Sequence, residues 1–411
     1  MSELLLPQRV SRRHFLKGAA AVSVTPSFAL NAMSAVSGRK NVPAYVGTYT
    51  GAVGSGSNGE GIYRFVMNET TGELLHSTLV AKTPSPSWIA IHPSKKYLYA
   101  VNEVSDYHGG SGSISAFAVD SVSGDLTPLN VVSSEGAGPC YISIDAKGKF
   151  AFVANYGDGS VAVLPIHEGG SLGVATDIHR DSGNLGGSKA ANAPPGSFAV
   201  SGHDAPHAHM ILPAPNGKFV LATDLGQDRI YIYRINPATG QLTFTDGVHG
   251  ATLPSGNGPR HLAFHPNGQS LYSIQEESSD VAFFHYDAAS GSLTPQQTVS
   301  ALPPQFAGTS FASEILIHPD GRYLYAANRL HDTIATFAIG LDGKLKRIGE
   351  ASTMGDYPGQ CRIDPSGRFL FACNRRSDSI ACFKIDRTTG LLAFTGQYTA
   401  VGSPASITFL D

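Results

Sequence analysis

The sequence predicts an all-β protein, a seven-bladed β-propeller with four-stranded blades, and three observations lead to this prediction. Short runs of alternating apolar and polar residues are separated by turns, and the 411 residues include 46 Gly and 25 Pro, far more turn-forming residues than a helical protein carries. A unit of about 50 residues recurs along the chain. The first and last strand-like runs also match different strands of that same unit.

The first 40 residues are expected to be an export signal and linker, outside the fold. The segment SRRHFLKGAAAVSVTPSFALNAMSA places Arg12 and Arg13 just before Phe15, Leu16 and Lys17, and a weakly apolar run follows. This pattern is typical of a twin-arginine signal, which a receptor reads as an address. We therefore expect the twin-arginine translocation machinery to bind the chain during export, and the mature protein to be periplasmic or extracellular.

Residues 41–411 are predicted to form one propeller domain, because two phrases recur throughout them. The first phrase is a strand, a turn, a second strand and an Asn or its equivalent, as in WIAIHPSKKYLYAVNE, YISIDAKGKFAFVANY, MILPAPNGKFVLATDL, LAFHPNGQSLYSIQEE, ILIHPDGRYLYAANRL and CRIDPSGRFLFACNRR. The second phrase is an alternating strand, a turn, Gly, one residue and Leu, as in IYRFVMNETTGEL and six further copies. Each unit thus supplies about four short strands, as a propeller blade requires.

The two ends of the chain are predicted to complete one blade together. The C-terminal SPASITFL matches the first strand of a unit, and the N-terminal AYVGTYTG matches the second. Pairing these strands would remove the open edge between the first and last blades, which an unclosed sheet would otherwise expose.

One interval, residues 173–203, is longer than the others and has no clear period. It is rich in Gly, Ala, Pro and Ser. We interpret it as a long loop insertion on the face that carries the site, either a tolerated insertion or a lid or rim.

Composition argues against several classes of function. The formal net charge is −3 and no basic stripe is visible, which argues against a nucleic-acid partner. No apolar run is long enough to span a bilayer. None of the four cysteines, Cys140, Cys361, Cys373 and Cys382, forms a CxxC pair, so buried free thiols are expected rather than a zinc site. No metal and no cofactor is expected.

The repeats act as an internal control for function, because residues shared by all copies are expected to be structural. His92, His265 and His318 occupy the same His-Pro turn and are interpreted as turn residues. The first strand of each blade runs away from one face and the second returns to it, so the start of strand one and the end of strand two share a face. These positions hold Ser87, Cys140, His209, Arg260, Ser313 and Gly359, and Tyr49, Glu103, Tyr156, Leu225, Glu276, Arg329 and Arg375.

Four of these residues form the candidate catalytic set. Consecutive blades offer His209, then Arg260 with Glu276, then Arg329, all on one face and near the axis. His207, two residues before His209, would point to the same side of a strand and is a second candidate histidine. A His-x-His pair lacks the third ligand that zinc needs, so catalysis is favoured over metal binding.

The quoted motifs resemble those of a known family, the bacterial seven-bladed propeller 6-phosphogluconolactonases, which are similar to the fungal carboxymuconate-lactonizing enzyme. VGTYTG, PHAHM, GPRHLAFHPNG and ANR carry the resemblance, which covers about residues 43–411. It implies an active site of one histidine, two arginines and a glutamate, here His209 or His207, Arg260, Arg329 and Glu276. One departure is the pair Gln275-Glu276, where the family motif has Asn-Glu.

The resemblance implies a lactonase that opens 6-phosphogluconolactone to 6-phosphogluconate. Glu276 or a neutral histidine would activate water, and an arginine would hold the oxyanion or an anionic part of the substrate. No Gly-x-Ser-x-Gly elbow is present, so no covalent intermediate is expected. Three alternatives remain: a non-catalytic exported binding platform, a muconate-type lactonizing cyclase, and a hydrolase of a neutral sugar lactone.

Overall fold

The regular structure is almost entirely β-strand. The computed structural model describes residues 41–51, 57–180, 182–200, 202–244 and 250–411, so the predicted export signal lies outside the described residues. Within these ranges the helical elements are two single 3-10 turns, His108–Gly110 and Arg375–Ser377, and neither has the length or hydropathy to cross a bilayer.

The strands are, in chain order, β1 (Asn41–Thr48), β2 (Ile62–Asn68), β3 (Leu74–Ala81), β4 (Trp88–Ile91), β5 (Tyr97–Tyr107), β6 (Ser111–Val119), β7 (Leu126–Ser133), β8 (Pro139–Ile144), β9 (Phe150–Asn155), β10 (Ser160–Pro165), β11 (Asp177–Arg180), β12 (Ala208–Pro213), β13 (Phe219–Asp224), β14 (Arg229–Ile235), β15 (Leu242–Phe244), β16 (Ala251–Thr252), β17 (Pro259–Phe264), β18 (Ser270–Gln275), β19 (Asp280–Tyr286), β20 (Leu293–Ser300), β21 (Phe311–Ile317), β22 (Tyr323–Arg329), β23 (Thr333–Ile339), β24 (Leu345–Ser352), β25 (Pro358–Ile363), β26 (Phe369–Asn374), β27 (Ser379–Ile385), β28 (Leu392–Ala400) and β29 (Pro404–Phe409).

These strands form seven antiparallel sheets, as the repeats predicted. Blade 1 has the order β29-β1-β2-β3, and blades 2 to 7 are β4–β7, β8–β11, β12–β15, β17–β20, β21–β24 and β25–β28, with β16 added against β14. In blade 1 Ala44 lies opposite Phe409 and Val46 opposite Ile407. The predicted completion of one blade by strands from both ends of the chain is therefore confirmed.

The first strand of every blade lies innermost. β29, β4, β8, β12, β17, β21 and β25 contact one another in this order, and β25 contacts β29 again. The sheets thus close into a ring around a central channel, as in a propeller. First strands begin, and second strands end, on one face of this ring, which we call the site face.

The hydrophobic core lies between neighbouring sheets. The middle strands β9 and β10 are almost fully buried, whereas the outer strand β20 is largely exposed. Tyrosine hydroxyls link one blade to the next: Tyr99 Oη donates to the carbonyl oxygen of Gly170 at 2.9 Å, and Tyr325 Oη to that of Gly390 at 2.8 Å. Each ring fills the core while its polar tip remains hydrogen-bonded.

The His-Pro turns are structural, as predicted. The Nε2 atoms of His92, His265 and His318 lie 3.0, 2.8 and 2.8 Å from the carbonyl oxygens of Gly148, Gly321 and Gly367, each in the matching turn of the next blade. Three repeats use the same link, which explains why the histidine recurs without a role at the site face.

The four cysteines are free and buried, as predicted. Cys373 lies on β26 and Cys382 on the neighbouring β27, but they are not cross-strand partners, since Cys373 pairs with Ile380 and Cys382 with Phe371.

The long interval only partly matches its prediction as a loop. Asp177–Arg180 form β11, the outer strand of blade 3, so the irregular part begins after Arg180. The described part beyond lies on the site face. Asn192 donates to Asp280, the amide of Gly308 donates to the carbonyl oxygen of Pro195 at 2.8 Å, and Phe198 leaves 76% of its surface exposed. These contacts place Asn192 beside blade 5 and Pro195 beside the start of blade 6.

Candidate active site

A cavity of about 310 Å³ opens at the site face, at the end of the central channel. Its wall contains the positions at which first strands begin and second strands end, as the repeat control predicted, with Ser313 and Leu225 as the exceptions. The lining residues are Tyr49, Ser87, Trp88, Glu103, Cys140, Tyr156, His209, Arg260, His261, Glu276, Arg329, Tyr357, Gly359, Pro404, Ala405 and Arg375.

β-Bulges at the start of the first strands turn side chains into this cavity. The pairing register with the second strand shifts between Pro139 and Tyr141, between Ala208 and Met210, between Pro259 and His261, and between Pro358 and Gln360. The unpaired residues are Cys140, His209, Arg260 and Gly359, and all four line the cavity. A bulge interrupts the alternation of a strand and re-aims the extra residue, which is why bulges are common beside active sites.

Glu276 holds the two predicted arginines together. Its Oε2 atom lies 3.1 Å from Arg260 Nε and 2.6 Å from Arg329 Nη2. The three side chains are about nine-tenths buried. Burial and the neighbouring charge of Arg329 lower the pKa of Arg260, although a guanidinium remains protonated in either case. One carboxylate thus organises two buried cations.

Arg329 is fixed from several directions. Its Nε donates to the carbonyl oxygen of Phe311 at 3.2 Å and its Nη2 to that of Ala312 at 3.1 Å, while its guanidinium lies 5.2 Å from the ring centre of Tyr357. Burial would lower the pKa of Arg329, but Glu276 outweighs this and raises it. The guanidinium is therefore oriented before any ligand binds.

His209 lines the cavity, and its imidazole is neutral. Burial first, and then the positive charges of Arg260 and Arg329, hold the pKa of His209 well below its ordinary value. The carbonyl oxygen of His209 accepts from Cys140 Sγ at 3.3 Å, which links blades 3 and 4. A neutral imidazole among cations can donate or accept a hydrogen bond but is a weak base.

The structure does not bring His207 into the cavity. Its ring stacks on Tyr156 with centres 4.3 Å apart, Nδ1 lies 2.6 Å from the carbonyl oxygen of Tyr156, and Nε2 lies 3.0 Å from Asp204 Oδ1. His207 lies just before β12 and is not among the residues that line the cavity, whereas His209 is the unpaired residue of the bulge and lines it. The rings of both histidines contact Tyr156.

The inner end of the cavity is formed by His261 and its neighbours. His261 Nδ1 lies 3.0 Å from Glu314 Oε1, and its ring meets those of His209 and Trp88 edge to face at 5.1 and 5.2 Å. Burial lowers the pKa of His261, partly offset by Glu314. The rings of His261 and Trp88 thus line the cavity together with His209.

A second polar group, on the opposite wall, was not selected from the sequence. Tyr49 Oη donates to Glu103 Oε2 at 3.0 Å, and the guanidinium of Arg375 lies 3.7 Å from the ring centre of Tyr49. Glu103 follows Asn102 within β5, the second strand of blade 2, so its place in the repeat equals that of Glu276 after Gln275. That equivalence was the available signal. Blades 2 and 5 face each other across the ring, so the two glutamates do as well.

Tyr357 was also missed, although the repeats mark it. The residue before the proline that opens a first strand is Gly138 or Gly258 in two other blades, with φ of 58° and 70°. Tyr357 occupies that place with φ of 63°, a region that L-residues rarely adopt. Strain of this kind is concentrated at functional sites, and here it sets a phenol ring against Arg329.

Cys140 is the one cysteine that reaches the cavity wall. Burial raises the pKa of its thiol, so it is not a thiolate and lacks the character of a nucleophile. Among the described residues no group of three or more His, Cys, Asp or Glu is arranged to hold a metal ion. The chemistry of the cavity is therefore that of carboxylates, guanidiniums, phenols and imidazoles.

Comparison with known proteins matches this architecture. Residues 43–409 match the family described as lactonase, 7-bladed beta-propeller. The 6-phosphogluconolactonase of Bacillus subtilis is 34% identical over 367 residues, which cover 89% of this chain and 97% of that protein. The 6-phosphogluconolactonase of Formosa agariphila is 31% identical, over 76% of this chain and 84% of that protein.

A solved structure extends the comparison to three dimensions. The periplasmic gluconolactonase of Pseudomonas aeruginosa superimposes with a TM-score of 0.79 at 30% identity, covering 90% of this chain and 99% of that one. The family match spans nearly all the residues that form the ring and its cavity. The chain therefore belongs to the lactonase family of seven-bladed β-propellers.

Proposed function

We propose that this protein hydrolyses the ring of an anionic sugar lactone, in the manner of a 6-phosphogluconolactonase, by attack of water without a covalent intermediate. The observation that carries the proposal is the convergence of Arg260 and Arg329 on Glu276, beside the neutral His209, in one buried cavity. The activities named for the two curated relatives support the same reaction.

The two arginines suit the charge that develops during ring opening. Addition of water to the lactone carbonyl produces a tetrahedral oxyanion, and donors that are fixed in advance stabilise it most effectively. Arg260 and Arg329 are such donors because Glu276 and backbone carbonyls hold them in place. The nearby charges of Arg260 and Arg329 help to lower the pKa of His209. Its neutral imidazole can therefore donate a hydrogen bond to the carbonyl group of the lactone.

The charge of the cavity favours an anionic substrate. The cavity wall contains three arginines and two carboxylates, namely Arg260, Arg329 and Arg375, and Glu103 and Glu276. Among the described residues of the wall, no other side chain is charged at neutral pH. The guanidinium of Arg375 is held by the ring of Tyr49 and has no carboxylate within 4.0 Å among the described residues. We assign it to the phosphate or carboxylate end of the substrate.

We also propose that the protein is exported by the twin-arginine route. The motif at Arg12 and Arg13 supports this, and so does the name of the Pseudomonas aeruginosa relative, a periplasmic gluconolactonase. An exported enzyme meets sugar lactones outside the cytoplasm, which makes unphosphorylated gluconolactone the second candidate substrate.

The test is hydrolysis of 6-phosphoglucono-δ-lactone and of glucono-δ-lactone by the purified protein. Acid release is followed above the spontaneous rate, and the ratio of kcat/KM between the two lactones reports whether phosphate is recognised. Absence of turnover on both would remove the hydrolase proposal and leave the lactonizing cyclase and the binding platform, the alternatives that the family match does not favour.

A further inference from the structure

The two carboxylates of the cavity are held in different ways. Glu276 is engaged by two guanidiniums through a single oxygen, at 3.1 and 2.6 Å. Glu103, on the opposite wall, accepts a hydrogen bond from Tyr49 and has no cationic nitrogen within 4.0 Å in the described part of the chain. Two bound cations favour the charged form of a carboxylate and reduce its tendency to take up a proton. Glu276 is therefore the poorer base of the two.

The surroundings of Glu103 favour proton exchange. The groups whose charges act on it or on its partner are Tyr49, Arg375, Arg260 and Cys140. Burial raises the pKa of Glu103, and this shift is opposed first by hydrogen bonding from Ser87 and Tyr49 and then by the more distant charges of Arg375 and Arg260. Burial also raises the pKa of Tyr49, so its phenol keeps its proton and remains the donor. Burial without a paired cation favours the neutral form of a carboxylate, so Glu103 can take up a proton more readily than Glu276.

The histidine is not a better candidate. His209 lies among cations and is buried, so it binds a proton poorly at neutral pH. His207 is not among the residues that line the cavity, and its ring stacks on Tyr156. We propose that Glu103 is the general acid and base of the lactone hydrolysis, and that Glu276 positions Arg260 and Arg329. This inference rests on the proposed function and names a carboxylate that the sequence comparison did not select.

The carboxylate of Glu103 alone can carry out both proton transfers of the reaction. The Glu103 carboxylate takes a proton from water while the water oxygen forms a bond to the lactone carbonyl carbon. The oxyanion so formed faces the guanidiniums. When it collapses, the bond between that carbon and the ring oxygen breaks, and protonated Glu103 gives its proton to the leaving oxygen. One water has then been added to the lactone, Glu103 is a carboxylate again, and the acid product loses its proton to solvent.

The experiment compares Glu103→Gln with wild type on glucono-δ-lactone, a substrate without a phosphate, because phosphate itself titrates near pH 6. Gln keeps the shape of the side chain but cannot take a proton. We expect kcat to fall about 10²–10⁴-fold with KM changed only a few-fold. The acidic limb of the kcat/KM profile is expected to disappear. Glu73→Gln, an exposed change in a turn on the opposite face, is the matched control and is expected to leave both unchanged.

Three outcomes would overturn the inference. Glu103→Gln with wild-type kcat and an intact acidic limb would assign the base elsewhere, while leaving the hydrolase proposal in place. Inactive wild-type protein would remove the proposed function and this role together. If Glu103→Gln does not fold by circular dichroism, Glu103→Asp decides, because a shifted carboxylate should lower kcat and move the acidic limb, and a limb that stays in place would contradict the role.

Discussion

His209 and Arg260 occupy the same position in consecutive blades, each as the unpaired residue of the β-bulge that opens the innermost strand. In each blade the bulge turns the unpaired side chain into the cavity. Along a regular strand, only every second side chain would point to that side. The repeat architecture thus supplies the same backbone position for a different residue in each of four blades, at Cys140, His209, Arg260 and Gly359.

Arg260→Ala should abolish most turnover. The change removes the donor that we propose for the developing oxyanion, together with one of the two cations on Glu276. Loss of one such donor typically lowers kcat about 10²–10³-fold. Initial rates on 6-phosphoglucono-δ-lactone measure the effect, with Arg387→Ala, an exposed residue in a turn on the opposite face, as the control. Equal rates in the two variants would contradict the assignment of Arg260.

Glu276→Gln should lower the stability of the fold as well as the activity. Without the carboxylate, Arg260 and Arg329 remain buried as like charges, and breaking a buried ion pair costs about 3–5 kcal/mol. Urea titration at neutral pH gives the free energy of unfolding. An unchanged midpoint and slope of the urea titration would contradict this prediction. It would mean that the two guanidiniums find other partners or water.

Arg375→Ala should change which lactone the enzyme prefers. If Arg375 holds the phosphate, KM for 6-phosphoglucono-δ-lactone rises about 10–100-fold, the usual range for a charged hydrogen bond, while KM for glucono-δ-lactone changes little. Steady-state kinetics on both substrates provides the ratio. A parallel rise on both would assign Arg375 to the shape of the cavity through Tyr49 rather than to the phosphate.

His203→Gln should alter how stability depends on pH. His203 Nε2 lies 3.2 Å from Asp228 Oδ1 and Nδ1 lies 3.4 Å from Glu277 Oε1. Burial alone would lower the pKa of His203, but these carboxylates outweigh it and raise the pKa to about 10. The contribution of His203 is then complete below its unfolded value of 6.5 and is lost as pH rises through about 10.

The free energy of unfolding of wild type relative to His203→Gln should therefore shrink between about pH 7 and 10. Urea titrations across that range measure it, with the exposed change His285→Gln as the control. A constant difference would mean that His203 is not charged in the folded protein.

Replacement of Arg12 and Arg13 by Lys should keep the protein in the cytoplasm. The twin-arginine receptor reads the arginine pair, so the exported fraction should fall while the cytoplasmic protein stays folded. Fractionation followed by immunodetection measures the distribution, with Arg9→Lys as the control. Undiminished export would assign the segment to another route.

The repeats predicted much of the fold and most of the cavity wall, because strand alternation and turn chemistry are local properties. The same register placed His209, Arg260, Glu276 and Arg329 at one end of the channel, where the structure has them. A bulge leaves no local mark in the sequence, so the different positions of His207, outside the cavity lining, and His209, within it, could not be predicted. β11 was missed because Asp177–Arg180 is short and is recognised as a strand only through its pairing with β10.

Glu103 shows a different limit. Its position was visible in the repeat, but its importance depends on where Tyr49 and Arg375 lie, and these come from blades that are far apart in the chain. Contacts that only ring closure brings together cannot be derived from one blade. Two guanidiniums bind Glu276, whereas Glu103 accepts a hydrogen bond from Tyr49 instead. This difference between the two carboxylates is a property of the assembled cavity.

The pairing of β29 with β1 ties the two ends of the chain to one sheet and also supplies Pro404 and Ala405 to the cavity wall. β29 follows every other described strand in the chain, so blade 1 keeps an open inner edge until β29 has been synthesised. The complete cavity therefore cannot form on a nascent chain that lacks β29, however much of the ring has already formed. Deletion of β29 should remove both the closure of the ring and part of the cavity wall.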